Sequence, residues 1–125
     1  MAEDRRRILI VDDEYVFCKS LKQFLEKIGY EAEIATNGEH ALDLIRDSAY
    51  DLMTLDIRMP GLNGYEALSK AKHIAPTMSI VVITAIDRPR MEEMLEHSGA
   101  HAVLRKPLDL EELRATIAGL LAGSP

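Results

Sequence analysis

Two periodicities alternate along this chain. Continuous apolar runs at Ile8–Val11, Leu52–Leu55, Ile80–Ile83 and Ala102–Leu104 read as short strands buried on both faces. The segments between them carry apolar residues at helical spacing. Phe17, Leu21, Phe24, Leu25 and Ile28 stripe a helix from Glu14 to Ile28, and Gly29 stops it. Glu31–Ala35 reads as a shorter, more polar strand, after which Asn37 caps a helix bearing Ala41, Leu42 and Ile45. The third strand, Asp51–Leu55, runs into a turn containing Pro60, Gly61 and Gly64. Tyr65, Leu68 and Ala71 mark a third helix, ended ahead of Pro76. A fourth, from Asp87 to His97, is weakly periodic, with Met91, Met94 and Leu95 packing it onto the sheet and Gly99 closing it. Leu110, Leu113, Ile117, Leu120 and Leu121 stripe the last helix. Five strand–helix units with short connections predict an α/β fold, a single doubly wound five-stranded parallel sheet with helices on both faces.

Composition narrows the class. The 125 residues, 47% hydrophobic and 29% charged, fit one ordinary globular domain over 1–125, with a core from about residue 7 to about residue 122. A net charge of −6 argues against direct nucleic-acid binding, because phosphate backbones require a basic face. Arg5-Arg6-Arg7 is the one basic run and reads as a solvated flank. The lone Cys18 excludes an internal disulfide and suits a reducing compartment. No stretch reaches transmembrane length and no signal-peptide pattern opens the chain, so a cytoplasmic protein without membrane partners is expected.

Four polar signals sit where the apolar runs end: Asp12-Asp13, Asp56, Thr84 and Lys106-Pro107. In an open parallel α/β sheet the carboxyl ends of the strands share one edge, and ligands bind there. Three carboxylates, a hydroxyl and an ammonium then converge from distant parts of the chain. The set suits Mg²⁺ and a phosphoryl group carried on an aspartate. An ionised carboxylate is a competent nucleophile at phosphorus, and the barrier is mainly electrostatic. Crowded carboxylates raise one another's pKa, and a divalent cation relieves that repulsion. Singly, each residue has a plainer reading: Asp12 or Asp13 as a helix cap, Asp56 as a turn former, Thr84 as a strand residue, Lys106 as a solvated edge. Jointly those readings need four coincidences on one edge of one sheet.

The same pieces resemble the receiver domains of bacterial two-component response regulators, the CheY-like proteins. Val11-Asp12-Asp13, Asp56-Ile57-Arg58-Met59-Pro60-Gly61 with Gly64, Thr84-Ala85 and Lys106-Pro107 match in order over nearly the whole length. The resemblance implies strand order 2-1-3-4-5 and phosphorylation of Asp56. It further implies Mg²⁺ bound directly by Asp13 and Asp56, through water by Asp12, and by the backbone carbonyl of Arg58. Lys106 and the Thr84 hydroxyl are implied to hold phosphoryl oxygens, Ala85 to leave room for the donor, and Lys106–Pro107 to be a cis peptide. The implied donor is a histidine kinase or histidine phosphotransfer protein, met by the outer face of the first helix at Glu14, Tyr15, Cys18 and Lys22. The resemblance also implies that the domain catalyses only its own phosphorylation and slow dephosphorylation, with Arg58 and Ile86 flanking the acceptor, and that output is by altered protein contact. That contact is with a downstream target, with an effector domain removed beyond Ala122-Gly123-Ser124-Pro125, or within a phosphorylation-linked homodimer.

One position departs from the family. An aromatic usually stands three residues before the strand-five lysine, where this chain has Val103, so the switch is expected to run through Thr84 with Val103 lacking a ring to rotate. A dehalogenase-type phosphatase needs a second acid two residues after its nucleophile, and Arg58 stands there. A flavodoxin needs a Ser/Thr/Gly-rich loop where Asp12-Asp13-Glu14 stand. A phosphorylation-independent pseudo-receiver usually loses pocket residues that this chain keeps. His40, His73, His97 and His101 lack metal-ligand spacing and read as surface residues, and Cys18, on the less apolar side of the first helix, as a packing or partly exposed residue rather than a redox one.

Overall fold

Strands and helices alternate as β1 (Arg7–Val11), α1 (Tyr15–Lys27), β2 (Glu31–Ala35), α2 (Gly38–Asp47), β3 (Leu52–Leu55), α3 (Gly64–Ile74), β4 (Ser79–Thr84), α4 (Met91–His97), β5 (Ala102–Arg105) and α5 (Leu110–Ala122). The computed structural model describes residues 5–58 and 64–122. Met59, Pro60 and Gly61 of the expected turn, and the tail from Gly123 to Pro125, lie outside the described residues. All neighbouring strands pair in parallel, in the order β2-β1-β3-β4-β5. Such pairing requires a crossover between consecutive strands, and helices α1 to α4 supply the four.

The period-two alternation of the strands divides the core into two layers. Ile8 and Ile10 of β1 face Leu21 and Leu25 of α1 and Leu113 and Ile117 of α5. Leu9 and Val11 face the other way, towards α2, α3 and α4. Ile8, Leu9 and Ile10 are all fully buried, and burying each side chain contributes about 1.5–3 kcal/mol. That exceeds the fraction of a kcal/mol separating ordinary helix formers, so burial rather than propensity decides where these elements lie. Asn37 caps α2 as its sequence position suggests, its side-chain oxygen accepting from the His40 N–H at 2.8 Å.

Three features depart from the expectation. Cys18 is fully buried and forms the apolar stripe of α1 with Leu21 and Leu25, while Phe17 and Phe24 flank that stripe half-buried. Helix α4 begins at Met91 rather than Asp87. Pro89 disfavours helical backbone at Arg88 before it, and Arg90 then adopts a left-handed conformation at φ 62°. The shortened α4 packs through Met91 and Leu95, whereas Met94 is 56% exposed.

His101 has a structural task. Its N–H donates to the Ile80 carbonyl at 2.7 Å, and its Nδ1 accepts the Ile80 N–H at 3.0 Å. An imidazole thus extends the β4–β5 ladder by one bond, and only unprotonated Nδ1 can accept it. Burial and the nearby Lys72 charge hold the His101 pKa below its ordinary 6.5. The unfolded chain therefore binds more protons between the lowered folded value and the ordinary one, so His101 contributes stability above that window and loses it as pH falls through it. The urea midpoint should drop from about pH 7.5 to about pH 5.5, and more steeply in wild type than in His101→Leu. Parallel pH dependences would refute the assignment.

Gly64 opens α3 against the backbone of Ile57, whose carbonyl accepts the Gly64 N–H at 3.1 Å. A Cβ at residue 64 would overlap the Ile57 backbone, which cannot yield as a side chain can. Gly64→Ala should cost about 1–3 kcal/mol in denaturant unfolding. An unchanged midpoint would show that the close approach is dispensable.

Candidate functional site

Register brings the polar signals together. Val11 pairs with Leu55 across β1 and β3, and Thr84 with Arg105 across β4 and β5. The next residues leave the sheet at one edge, and their backbones stay pinned. Asp12 N–H donates to Ala35 O at 3.2 Å, Asp56 N–H to Val11 O at 3.0 Å, and Lys106 N–H to Thr84 O at 2.9 Å. Asp12, Asp56 and Thr84 are buried at 2%, 6% and 0% exposure, while Asp13 is exposed. One carboxylate oxygen from each of Asp12, Asp13 and Asp56 lies within 4.8 Å of the others.

Lys106 compensates this charge. Its ammonium donates to Asp12 Oδ2 at 2.7 Å, to Glu14 Oε1 at 2.9 Å and to Asp56 Oδ2 at 3.2 Å. It also lies 4.5 Å from the centre of the Phe17 ring. The peptide bond from Lys106 to Pro107 is cis. Burial pulls the Lys106 pKa down, but hydrogen bonds to Asp12 and Glu14 and the charges of Asp12 and Asp56 outweigh it and hold the pKa above its ordinary value. Burial raises the Asp12 pKa, against hydrogen bonds from Lys106 and the Glu14 N–H that lower it. The two directions agree physically: one ammonium shared among three carboxylates keeps its own proton firmly yet neutralises Asp12 only in part.

Local hydrogen bonds fix the remaining atoms. Asp12 Oδ1 accepts the Glu14 N–H at 2.9 Å, and Asp56 Oδ1 accepts the Arg58 N–H at 3.0 Å. Each carboxylate therefore turns one oxygen to its own loop and the other to Lys106. The plain reading of Asp56 as a turn former is correct locally, whereas Asp12 makes the same local bond without capping α1, whose N-cap position is Glu14; the shared ammonium adds the rest. Thr84 Oγ1 accepts the Ile86 N–H at 3.1 Å. Three oxygen donors this close suit a hard divalent cation such as Mg²⁺, which binds through one or two carboxylates plus water and phosphate.

The expected partner face of α1 needs correction. Cys18 cannot belong to it, because its fully buried thiol lies under the helix, 3.2 Å from the Asp12 carbonyl. Burial pushes that thiol's pKa up to about 12, so it is no nucleophile. Glu14 remains exposed but reaches inward to Lys106, and Lys22 ties back to Glu26 and the Ala32 carbonyl. Tyr15 is 56% exposed, and Val16, absent from the expectation, 78%. Arg105 was also missed. It donates to the Ile86 carbonyl at 2.6 Å and pairs with Asp87 at 3.2 Å and Glu92 at 3.1 Å, fastening the β4–α4 loop to β5. Val103 is half-buried against the α2–α4 layer.

Comparison with known proteins agrees with this geometry. The family model "Response regulator receiver domain" matches residues 8–118. Sporulation initiation phosphotransferase F of Bacillus subtilis (strain 168) is 34% identical over 111 residues, covering 89% of this chain and 90% of that protein. Transcriptional regulatory protein ZraR of Klebsiella oxytoca is 34% identical over 122 residues, and this chain spans 98% of itself but only 28% of that protein. A chain of the CheX–CheY–BeF₃–Mg²⁺ complex from Borrelia burgdorferi superposes with a TM-score of 0.88 at 26% identity, covering 93% of this chain and 89% of that one.

Removing Lys106 leaves Asp12 and Asp56 buried without a cation. Lys106→Ala should cost about 3 kcal/mol in Mg²⁺-free urea unfolding, and added Mg²⁺ should stabilise the variant more than wild type. Equal Mg²⁺ responses would show that the ammonium does not compensate this carboxylate pair.

Proposed function

The chain belongs to the response regulator receiver domain family, and on that footing we propose that it is a phosphoacceptor switch. Asp56 takes a phosphoryl group from a phosphohistidine on a sensor kinase or histidine phosphotransfer protein. One observation carries this reading: the buried Asp56 carboxylate stands beside two further carboxylates and 3.2 Å from an ammonium, at the open edge of the sheet. An Asp56 oxygen attacks phosphorus as the phosphorus–nitrogen bond breaks. The imidazole leaves with that electron pair and takes up a proton from its surroundings.

Asp13 and Asp56, with Asp12 through water and the Arg58 carbonyl, would hold Mg²⁺, which supplies positive charge between approaching anions. Lys106 pairs with one phosphoryl oxygen, and the Thr84 hydroxyl donates to another. The Borrelia burgdorferi complex of CheX and CheY contains BeF₃ and Mg²⁺, which supports the reading that this domain takes an anion together with Mg²⁺. The domain performs this transfer and its own slow hydrolysis, the latter set by Arg58 and Ile86 beside the acceptor.

The signal leaves through Thr84. Turning its hydroxyl towards a phosphoryl oxygen gives up the Ile86 N–H, and the Ile86 carbonyl is held by Arg105, which also binds Glu92 of α4. Half-buried Val103 repacks with that movement in place of a rotating ring. A partner then reads the altered α4 surface in the cytoplasm. The relatives include a phosphotransferase and a transcriptional regulatory protein, so the output is a separate target, an attached effector or a second copy of the domain.

Intact mass after incubation with acetyl phosphate and Mg²⁺ tests the reading. Wild type should gain one phosphoryl group, Asp56→Asn none, and omission of Mg²⁺ should slow labelling at least tenfold, about 1.4 kcal/mol of barrier. No gain under conditions that label other receivers would mean that the domain works as a phosphorylation-independent interaction module.

A further inference from the structure

We propose that Glu14 is a positioning residue that occupies one donor of the Lys106 ammonium at rest and yields it to the incoming phosphoryl group. The inference rests on the phosphoacceptor reading above. An ammonium has three N–H donors, and here three different carboxylates take them, those of Asp12, Glu14 and Asp56. A phosphoryl oxygen can reach Lys106 only if one acceptor leaves.

Burial decides which one. The side chains of Asp12 and Asp56 are 3% and 7% exposed, and each is tied by its second oxygen to a loop N–H. Withdrawing either would strand a buried charge. The Glu14 side chain is 63% exposed, and its carboxylate can return to water. Glu14 occupies the N-cap position of α1 but makes no side-chain cap bond, so among the described residues its contact is with Lys106 and not with its own helix. The Phe17 face, 4.5 Å away, favours the ammonium without using a donor and holds it in place while its partners change.

Glu14 therefore acts as a gate on the lysine. An exposed ion pair of this kind is weak and easily exchanged. Its removal should speed phosphoryl entry by up to about fivefold.

The test measures Asp56 labelling by acetyl phosphate, and beryllofluoride affinity by calorimetry, both at saturating Mg²⁺. The proteins are wild type, Glu14→Ala, and Glu14→Ala with Val16→Glu. Val16 is 78% exposed on the first turn of α1, where an added acid suits the helix dipole. The double variant thus restores the net charge beside the site without restoring the Lys106 contact. Glu14→Ala should label, and bind beryllofluoride, about two- to fivefold better than wild type, and the double variant should match it. Mg²⁺ alone should bind Glu14→Ala no more tightly than wild type.

Wild-type behaviour in Glu14→Ala would overturn the gate, as would return of the double variant to wild-type values, which would assign the effect to the general field. Failure of wild type to gain an Asp56-dependent phosphoryl group would instead overturn the phosphoacceptor reading, and this proposal with it.

Discussion

One ammonium sets the terms for this edge of the sheet. Lys106 lies 94 residues from Asp12 and 50 from Asp56, yet burial of both carboxylates depends on it. Two carboxylates at 2% and 6% exposure are costly without a compensating cation. The compensation is available because parallel pairing fixes where β1, β3 and β5 end. A one-residue slip of β5 against β4 would turn the lysine to the opposite face, leaving the pair exposed to mutual repulsion. The apolar layers that enforce the register thereby hold the charges in place.

The backbone bonds beyond the strand ends extend that control. Asp12, Asp56 and Lys106 each continue the ladder by one N–H bond after their strand stops. Their side chains therefore stand on nearly rigid supports, although they sit in loops. Thr84 is part of the strand itself and passes its position to Ile86, whose carbonyl Arg105 holds. Hydrogen bonds thus link the Thr84 hydroxyl to α4 through Ile86, Arg105 and Glu92.

The sheet was legible in the sequence because its strands are buried on both faces, which writes a continuous apolar run and leaves little ambiguity. The polar residues at the ends of those runs were legible for the same reason, since the runs mark the edge. The errors share a different cause. Helix α4 is shorter than its pattern suggests because Met91 and Leu95 carry the periodicity while Pro89 limits its start. The burial of Cys18 is hard to read because a lone thiol among polar neighbours does not look apolar, although it packs as a small hydrophobe. Arg105 with Asp87 and Glu92, and Glu14 with Lys106, are contacts between sequence-distant residues that no local pattern encodes.

The two ends of the sheet differ in how their carboxylates are compensated. At the opposite end Arg7 donates to Glu33 at 2.6 Å and to the Ala49 carbonyl at 2.9 Å, and stacks 4.5 Å from the Tyr50 ring. Tyr50 adds a hydrogen bond to Glu33 at 2.9 Å. Burial works against ionisation of Glu33, but the bonds from Arg7 and Tyr50 outweigh it and hold its pKa below the ordinary value. At Asp12 the same contest ends the other way, with burial prevailing and the pKa raised. The difference lies in stoichiometry. Arg7 serves mainly one carboxylate, whereas Lys106 is divided among three, with Asp13 close by as a fourth. A site left short of positive charge favours a divalent cation, and with that cation in place it can tolerate a further anion. The incomplete neutralisation that weakens this edge as a structural element is what suits it to bind a cation and an anion together.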